Sequence, residues 1–324
     1  MKELSRTSLV RKARFLARES SLEDSEFIDK IFRHIAGFLE KRSGYHGHIE
    51  LSGSLVRETA VGPESDCDIL VVANPKGVVD SFPARQEFEE FKEKLESALT
   101  DFRPKLIVRE AGKGFQVFKH SRGQGVDVIP AFAVDDIQFD WCVNSNKVDK
   151  VRKTIALARE FDGTPLVIQN RMNEWLLTIP SIHSDRMLLK DYHTNGRYLE
   201  VVRILKRLRN CLKVRGRAGG FVSSYAIEGL AWNVSTEAYL KADLVESLIQ
   251  VEREIALFLT KKISGWTEIA GVGDPVGNYD PFQVLDVPPL CDFLASTFQF
   301  EPTIVDCNIA KVWDPSGWQG SASW

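Results

Sequence analysis

The chain has 324 residues, 44% of them hydrophobic and 27% charged, which suits a globular protein with apolar material for one large domain or two lobes. A formal net charge of −3 excludes nucleic-acid binding by overall charge, so any basic surface must be local. The 5 cysteines are odd in number and lack a C-x-x-C pair, which argues against a zinc site or disulfide framework and for a reducing compartment.

In chain order, residues 25–42 read as an amphipathic helix, with Phe27, Ile28, Ile31, Phe32, Ile35, Phe38 and Leu39 on one stripe. Ser21-Leu22-Glu23-Asp24 resembles a capping box before it, and Ser43-Gly44 ends it. A short strand from His48 to Leu51 runs into Ser52-Gly53-Ser54, and residues 54–60 form a helical turn. Asp66 to Ala73 is a strand by its β-branched run. Residues 83–100 are helical, with Phe88, Phe91, Leu95 and Leu99 on one side. Lys105–Arg109 and Phe115–Lys119 are strands joined through Gly112-Lys113-Gly114, and Val126–Ile129 is another strand before Pro130.

After about residue 150 helices dominate, over 148–160, 185–191, 197–214, 222–233 and 243–263, followed by a tail rich in Gly, Pro and Trp from Gly265. The expected fold is α+β: a catalytic lobe with a mixed β-sheet over residues 1–170, N-terminal helix included, then a helical lobe over 171–324 with an irregular tail, and an active site in the cleft between them. No signal peptide is apparent, and no stretch reaches the roughly 18 apolar residues of a membrane span. A cytoplasmic monomer with no membrane partner is expected.

Side chains on a strand alternate, so Asp66 and Asp68 project together while Cys67, Ile69 and Val71 turn to the core. Asp127 lies between Val126 and Val128 on a later strand, an acid in an apolar run that is costly to bury unpaired. Three carboxylates converging from adjacent strands repel one another unless cations neutralise them, and magnesium takes such oxygen ligands together with phosphates. Two ions (Mn²⁺ can replace Mg²⁺) would clamp the attacking hydroxyl and the leaving oxygen of an in-line displacement. Asp66, Asp68 and Asp127 would hold the first ion, and Asp66 with Asp68 the second. Gly53 lets the backbone approach phosphates closely, and Ser54 offers its hydroxyl and amide. A Gly-Ser turn alone marks nothing, and D-x-D alone marks many turns and calcium loops. Their conjunction with Asp127 points to nucleotidyl transfer.

These residues carry a resemblance. Gly53-Ser54-Leu55-Val56-Arg57-Glu58-Thr59 followed by Ser65-Asp66-Cys67-Asp68-Ile69-Leu70 resembles the signature of polymerase-β-type nucleotidyltransferases. Gly125-Val126-Asp127-Val128-Ile129-Pro130-Ala131 is similar to the third-carboxylate motif of the branch holding the bacterial cyclic-oligonucleotide synthases (CD-NTases), animal cyclic GMP-AMP synthase and the oligoadenylate synthases. Arg203-Ile204-Leu205-Lys206-Arg207-Leu208 and Phe221-Val222-Ser223-Ser224-Tyr225 resemble that branch's helix and S-S-Y segment, and Trp175, Pro180 and His183 its W…P…H run. The resemblance implies that Lys206 and Ser224 contact the triphosphate and Tyr225 stacks on a base. It implies an enzyme that condenses ATP, GTP or pyrimidine triphosphates into a cyclic di- or trinucleotide for anti-phage signalling, sensed by a downstream effector. The alternatives are an RNA-directed nucleotidyltransferase (CCA-adding or terminal) and a linear 2′-5′-oligoadenylate synthase.

Residues 197–217 also carry Arg197, Arg203, Arg207, Arg209, Lys213, Arg215 and Arg217 against the single acid Glu200. We read Lys206 as belonging to the site and most of the others as a solvated basic face, with nucleic acid not required.

Overall fold

The computed structural model describes residues 17, 25–41, 43–54, 56–61, 67–75, 82–102, 106–118, 125–133, 163–169, 175–214 and 224–261. They fall into two compact units: Ser20–Asp185 forms one, and Arg186–Ile269 belongs to the other.

The first unit holds a mixed sheet. Helix α1 (Ser25–Lys41) precedes strands β1 (Gly47–Gly53) and β2 (Cys67–Ala73); α2 (Phe82–Thr100) leads to β3 (Ile107–Ala111), β4 (Gly114–Phe118) and β5 (Gly125–Ala133). The strand order is β1-β2-β5-β4-β3, with β2 and β5 parallel and the other neighbours antiparallel. Two further strands, β6 (Leu166–Gln169) and β7 (Trp175–Thr178), extend the sheet: β6 pairs with the end of β5 at Phe132 and Ala133, and β7 pairs with β6.

The alternation expected of β2 sorts its side chains between two cores. Cys67, Ile69, Val71 and Ala73 join Val126, Val128 and Phe132 against Phe27, Ile31, Ile35 and Phe38 of α1 and Phe88, Phe91, Leu95 and Leu99 of α2. The opposite face carries a smaller cluster of Leu70, Val72, Ile129, Ala131, Leu166 and Ile168. Both faces of β2 and β5 are therefore covered along most of their length, which is why these strands are nearly continuous apolar runs. Helix α1 ends as expected: the Ser43 amide donates to the Phe38 carbonyl at 3.0 Å, and Gly44 follows at φ +70. The capping-box residues 21–24 lie outside the described residues.

The second unit is helical. It contains α4 (Arg197–Val214), α5 (Ser224–Asn233), the short α6 (Thr236–Tyr239) and α7 (Leu244–Lys261); α3 (Pro180–His193) spans the division. Tyr198, Leu199, Val201, Val202, Ile204 and Leu205 of α4 pack with Ile227, Leu230 and Ala231 of α5 and Leu248, Val251 and Ile255 of α7. The N-terminal amides of α4 are capped by side chains: Tyr198 N donates to Thr194 Oγ1 at 3.1 Å and Leu199 N to Asp191 Oδ1 at 2.9 Å. Ala17 joins this core, and its carbonyl accepts a hydrogen bond from Arg203 Nε.

Two expectations change. The division falls at residue 185 rather than 170, because β7 is a strand of the sheet. Two unexpected strands also fall after residue 150: the short runs LVIQ and WLLT, four-residue apolar segments with too little periodicity to separate strand from buried helix. The expected helix over 148–160 and the tail from Gly265 lie outside the described residues. Among the described residues no helix is long and apolar enough to cross a membrane.

Candidate active site

The parallel pairing of β2 with β5 sets Asp68 opposite Asp127. Register partners on adjacent strands share a face and lie about 4.8 Å apart along the sheet. Both aspartates are half-buried, and both stand on the face of Leu70 and Ile129, at its uncovered end. Asp66 lies outside the described residues, and the alternation that places it beside Asp68 remains the sequence expectation.

The same transverse line continues in both directions. Ser52 of β1 pairs with Asp68, Gln116 of β4 with Asp127, and Arg109 of β3 with Gln116. Ser52, Asp68, Asp127, Gln116 and Arg109 thus form one polar row across five strands. The sequence reading missed Gln116 and Arg109. In GFQVF the buried Phe115 and Val117 signal that Gln116 turns away from the core, but only the register sets it next to Asp127.

Beyond Ser52, Gly53 ends β1 at φ +86, a left-handed conformation that strains any residue with a Cβ. One helical turn follows. The Thr59 amide donates back to the Ser54 carbonyl at 2.8 Å, and Glu58 closes the turn at φ +54. The Ser54 carbonyl is thereby held inside the turn, with its amide and hydroxyl as the expected phosphate donors. The link between β3 and β4 is the expected hairpin, with Ala111 and Gly114 paired across Gly112-Lys113.

In the helical unit, Ser224 is the first residue of α5 and its Oγ accepts a hydrogen bond from Arg209 Nη1 at 2.9 Å. Tyr225 is 36% exposed. Lys206 departs from expectation. It is 1% exposed, and its Nζ donates to Oε1 of the fully buried Glu228 at 2.5 Å. The pair ties α4 to α5 inside the core, because Glu228 falls on the inner face of α5, one turn after Ser224. The basic face is also less solvated than expected: Arg203, Arg207 and Arg209 are all half-buried, and burial, with the charge of Arg203, pushes the Arg207 guanidinium down to about 10. Of the W…P…H residues, Trp175 opens β7, Pro180 opens α3 and His183 is buried.

The donor set suits a hard divalent cation. Two carboxylates in register, with a third two residues upstream of Asp68, supply oxygen ligands of the kind magnesium takes. Among the described residues no group of three or more His, Cys, Asp or Glu side chains is assembled, Asp66 being outside them.

Two family descriptions match the chain. The nucleotidyltransferase domain matches residues 33–122, a stretch holding Gly53, Ser54, Asp66 and Asp68 and ending before Asp127. The cGAS/DncV-like nucleotidyltransferase C-terminal helical domain matches residues 185–287, beginning where the second unit begins. The chain is 24% identical over 214 residues to a cyclic GMP-AMP synthase of Staphylococcus schleiferi, covering 62% of this chain and 61% of that one, so the match spans less than two thirds of the relative. It is 28% identical over 264 residues to a cyclic dipyrimidine nucleotide synthase of Legionella pneumophila, covering 76% and 81%. Among solved structures, the cyclic dinucleotide synthase of Elizabethkingia meningoseptica with GTP and Apcpp superposes with a TM-score of 0.67 at 22% identity, covering 88% of this chain and 96% of that one. The cyclic UMP-AMP synthase of Rhodothermus marinus with Apcpp and Upnpp gives 0.62 at 16% identity, covering 90% and 96%. These likenesses establish the polymerase-β-like fold, with its mixed sheet and helical C-terminal domain. With both domain matches in sequence along one chain, the protein carries a nucleotidyltransferase domain followed by the C-terminal helical domain of cGAS/DncV-like nucleotidyltransferases.

Proposed function

We propose that this protein condenses nucleoside triphosphates into a cyclic di- or trinucleotide, releasing pyrophosphate. The observation that carries the reading is the register of Asp68 with Asp127 on one half-buried face, with Asp66 two residues before Asp68. In each condensation a ribose hydroxyl of the acceptor attacks the α-phosphorus of the donor. A new P–O bond forms, the bond to the β-phosphate bridge breaks, pyrophosphate leaves with its electron pair, and the hydroxyl proton passes to solvent. The last condensation, the second for a dinucleotide and the third for a trinucleotide, is intramolecular and closes the ring.

Asp66, Asp68 and Asp127 would hold two Mg²⁺ ions, or Mn²⁺ in their place, which when bound acidify the attacking hydroxyl and neutralise charge on the phosphates. The chain's own part is positioning. The Gly53-Ser54 turn approaches the triphosphate, and Ser224 and Tyr225 are the residues of the helical unit to which we assign phosphate and base contacts. The names of the matched relatives, each a synthase of a cyclic nucleotide, support this over the alternatives. On this reading the enzyme works in the cytoplasm as a source of a signal that a separate effector senses in defence against phage.

Incubation with labelled triphosphates and Mg²⁺ or Mn²⁺, without RNA, tests the function. A product that survives phosphatase and has the mass of a cyclic oligonucleotide is expected. A linear product, which loses its terminal phosphates, would favour the oligoadenylate alternative. Strict dependence on added RNA would favour the RNA-directed one.

A further inference from the structure

The polar row across the sheet has direction. β1 and its Gly53-Ser54 turn lie on the Asp68 side, and β4 and β3 on the Asp127 side. On the function proposed above, on which this inference rests, Asp66 and Asp68 serve both ions, whereas Asp127 serves only the one at the attacking hydroxyl. The donor triphosphate therefore occupies the β1 side. The nucleotide that supplies the hydroxyl extends over β4 and β3.

Two side chains await it there. Gln116 is half-buried beside Asp127, and Arg109 is exposed one strand further out. They stand about one and two strand spacings from Asp127, roughly 5 and 10 Å, the range over which a sugar and its 5′-phosphates extend from an attacking hydroxyl. Among the described residues neither side chain makes a hydrogen bond or ion pair. Arg109 instead rests its guanidinium 5.4 Å from the ring centroid of Phe118, which stands on the same face and leaves the five N–H donors open. The residue types suit the places. An amide next to Asp127 donates and accepts hydrogen bonds without competing for a cation or repelling it. A guanidinium farther out meets phosphate oxygens in pairs.

We infer that Gln116 and Arg109 bind the acceptor nucleotide, Gln116 through its ribose or base edge and Arg109 through its 5′-phosphates. Two analogues separate the roles. A 2′,3′-dideoxynucleoside triphosphate can donate but not accept, and an α,β-methylene triphosphate can accept but not donate. Pyrophosphate release from their mixtures by the full chain, each varied in turn, gives one KM for each role.

Gln116→Leu and Arg109→Ala should each raise the acceptor KM about tenfold, the loss of one hydrogen bond to a charged or polar partner. The donor KM should stay within about twofold. Arg109→Lys, which keeps the charge but loses the flat fork, should fall between wild type and Ala. Glu110→Ala, on the opposite face of β3, should change neither KM. An equal rise in both KM values, a fall in kcat with both unmoved, or no change overturns the assignment alone. A wild-type protein that releases no pyrophosphate overturns the proposed function, and this assignment with it.

Discussion

The two units arrange charge in opposite ways. On the sheet, Asp68 and Asp127 stand in register, like beside like, on a face that is only half-buried. In the helical unit, Lys206 and Glu228 meet at 2.5 Å with exposures of 1% and 0%, opposite beside opposite. The second arrangement sets a cation against an anion inside the fold. The first sets two like charges side by side, and neighbouring carboxylates gain little from each other and much from a cation. Opposite charges paired in a core are structural, and like charges gathered on one half-buried face are the place to look for chemistry.

The sharpest way to break this contrast is to neutralise each side. Asp68→Asn or Asp127→Asn should cut pyrophosphate release roughly 10⁴-fold, about 5 kcal/mol of barrier. The thermal midpoint should hold or rise, because a like charge has left the row. Loss of activity together with unfolding would put the pair in the fold rather than in the chemistry.

Lys206→Met should do the reverse. Depriving the buried Glu228 of this cation should cost about 3–5 kcal/mol in denaturant unfolding, and Lys206→Met with Glu228→Leu should recover most of it. Equal losses in the single and double variants would mean that packing, not charge, is what Lys206 supplies.

A third test sharpens the contrast inside the helical unit. Glu252 of α7 is 2% exposed, its Oε1 has no hydrogen-bond partner among the described residues, and burial holds its carboxyl well above the ordinary 4.5. The folded state therefore keeps a proton that the unfolded chain gives up, so stability falls as pH rises above about 4.5. Glu252→Gln should flatten that decline when the unfolding midpoint is followed across pH, and an unchanged slope would show that the group is ionised in the fold. The smallest effect is expected at Gly53. At φ +86, Gly53→Ala should cost about 1 kcal/mol in stability, with its larger signature a raised KM for the donor triphosphate.

How legible this was depended on range. Helix α4 was readable to both ends, because 18 residues of consistent periodicity outweigh any local ambiguity. The burial of Cys67, Ile69 and Val71, and the turn of Asp68 away from them, follow from period-2 alternation alone. What the sequence could not reveal lies in pairings between distant segments. Gln116 is unremarkable until β4 is laid beside β5, and β6 and β7 are four-residue runs that become strands only by pairing with β5 and with each other. Lys206 fits a phosphate-binding pattern along the chain. Its fate was decided by Glu228, 22 residues away, which the helix packing turns inward.

The most direct test of the central claim is Mn²⁺ binding, followed by electron paramagnetic resonance in the presence of an α,β-methylene triphosphate. The wild type should bind Mn²⁺ with the nucleotide, and Asp68→Asn and Asp127→Asn should each weaken that binding by at least about tenfold. Undiminished binding in both variants would mean that the two aspartates do not share a cation, and the account of this face as the catalytic centre would be wrong.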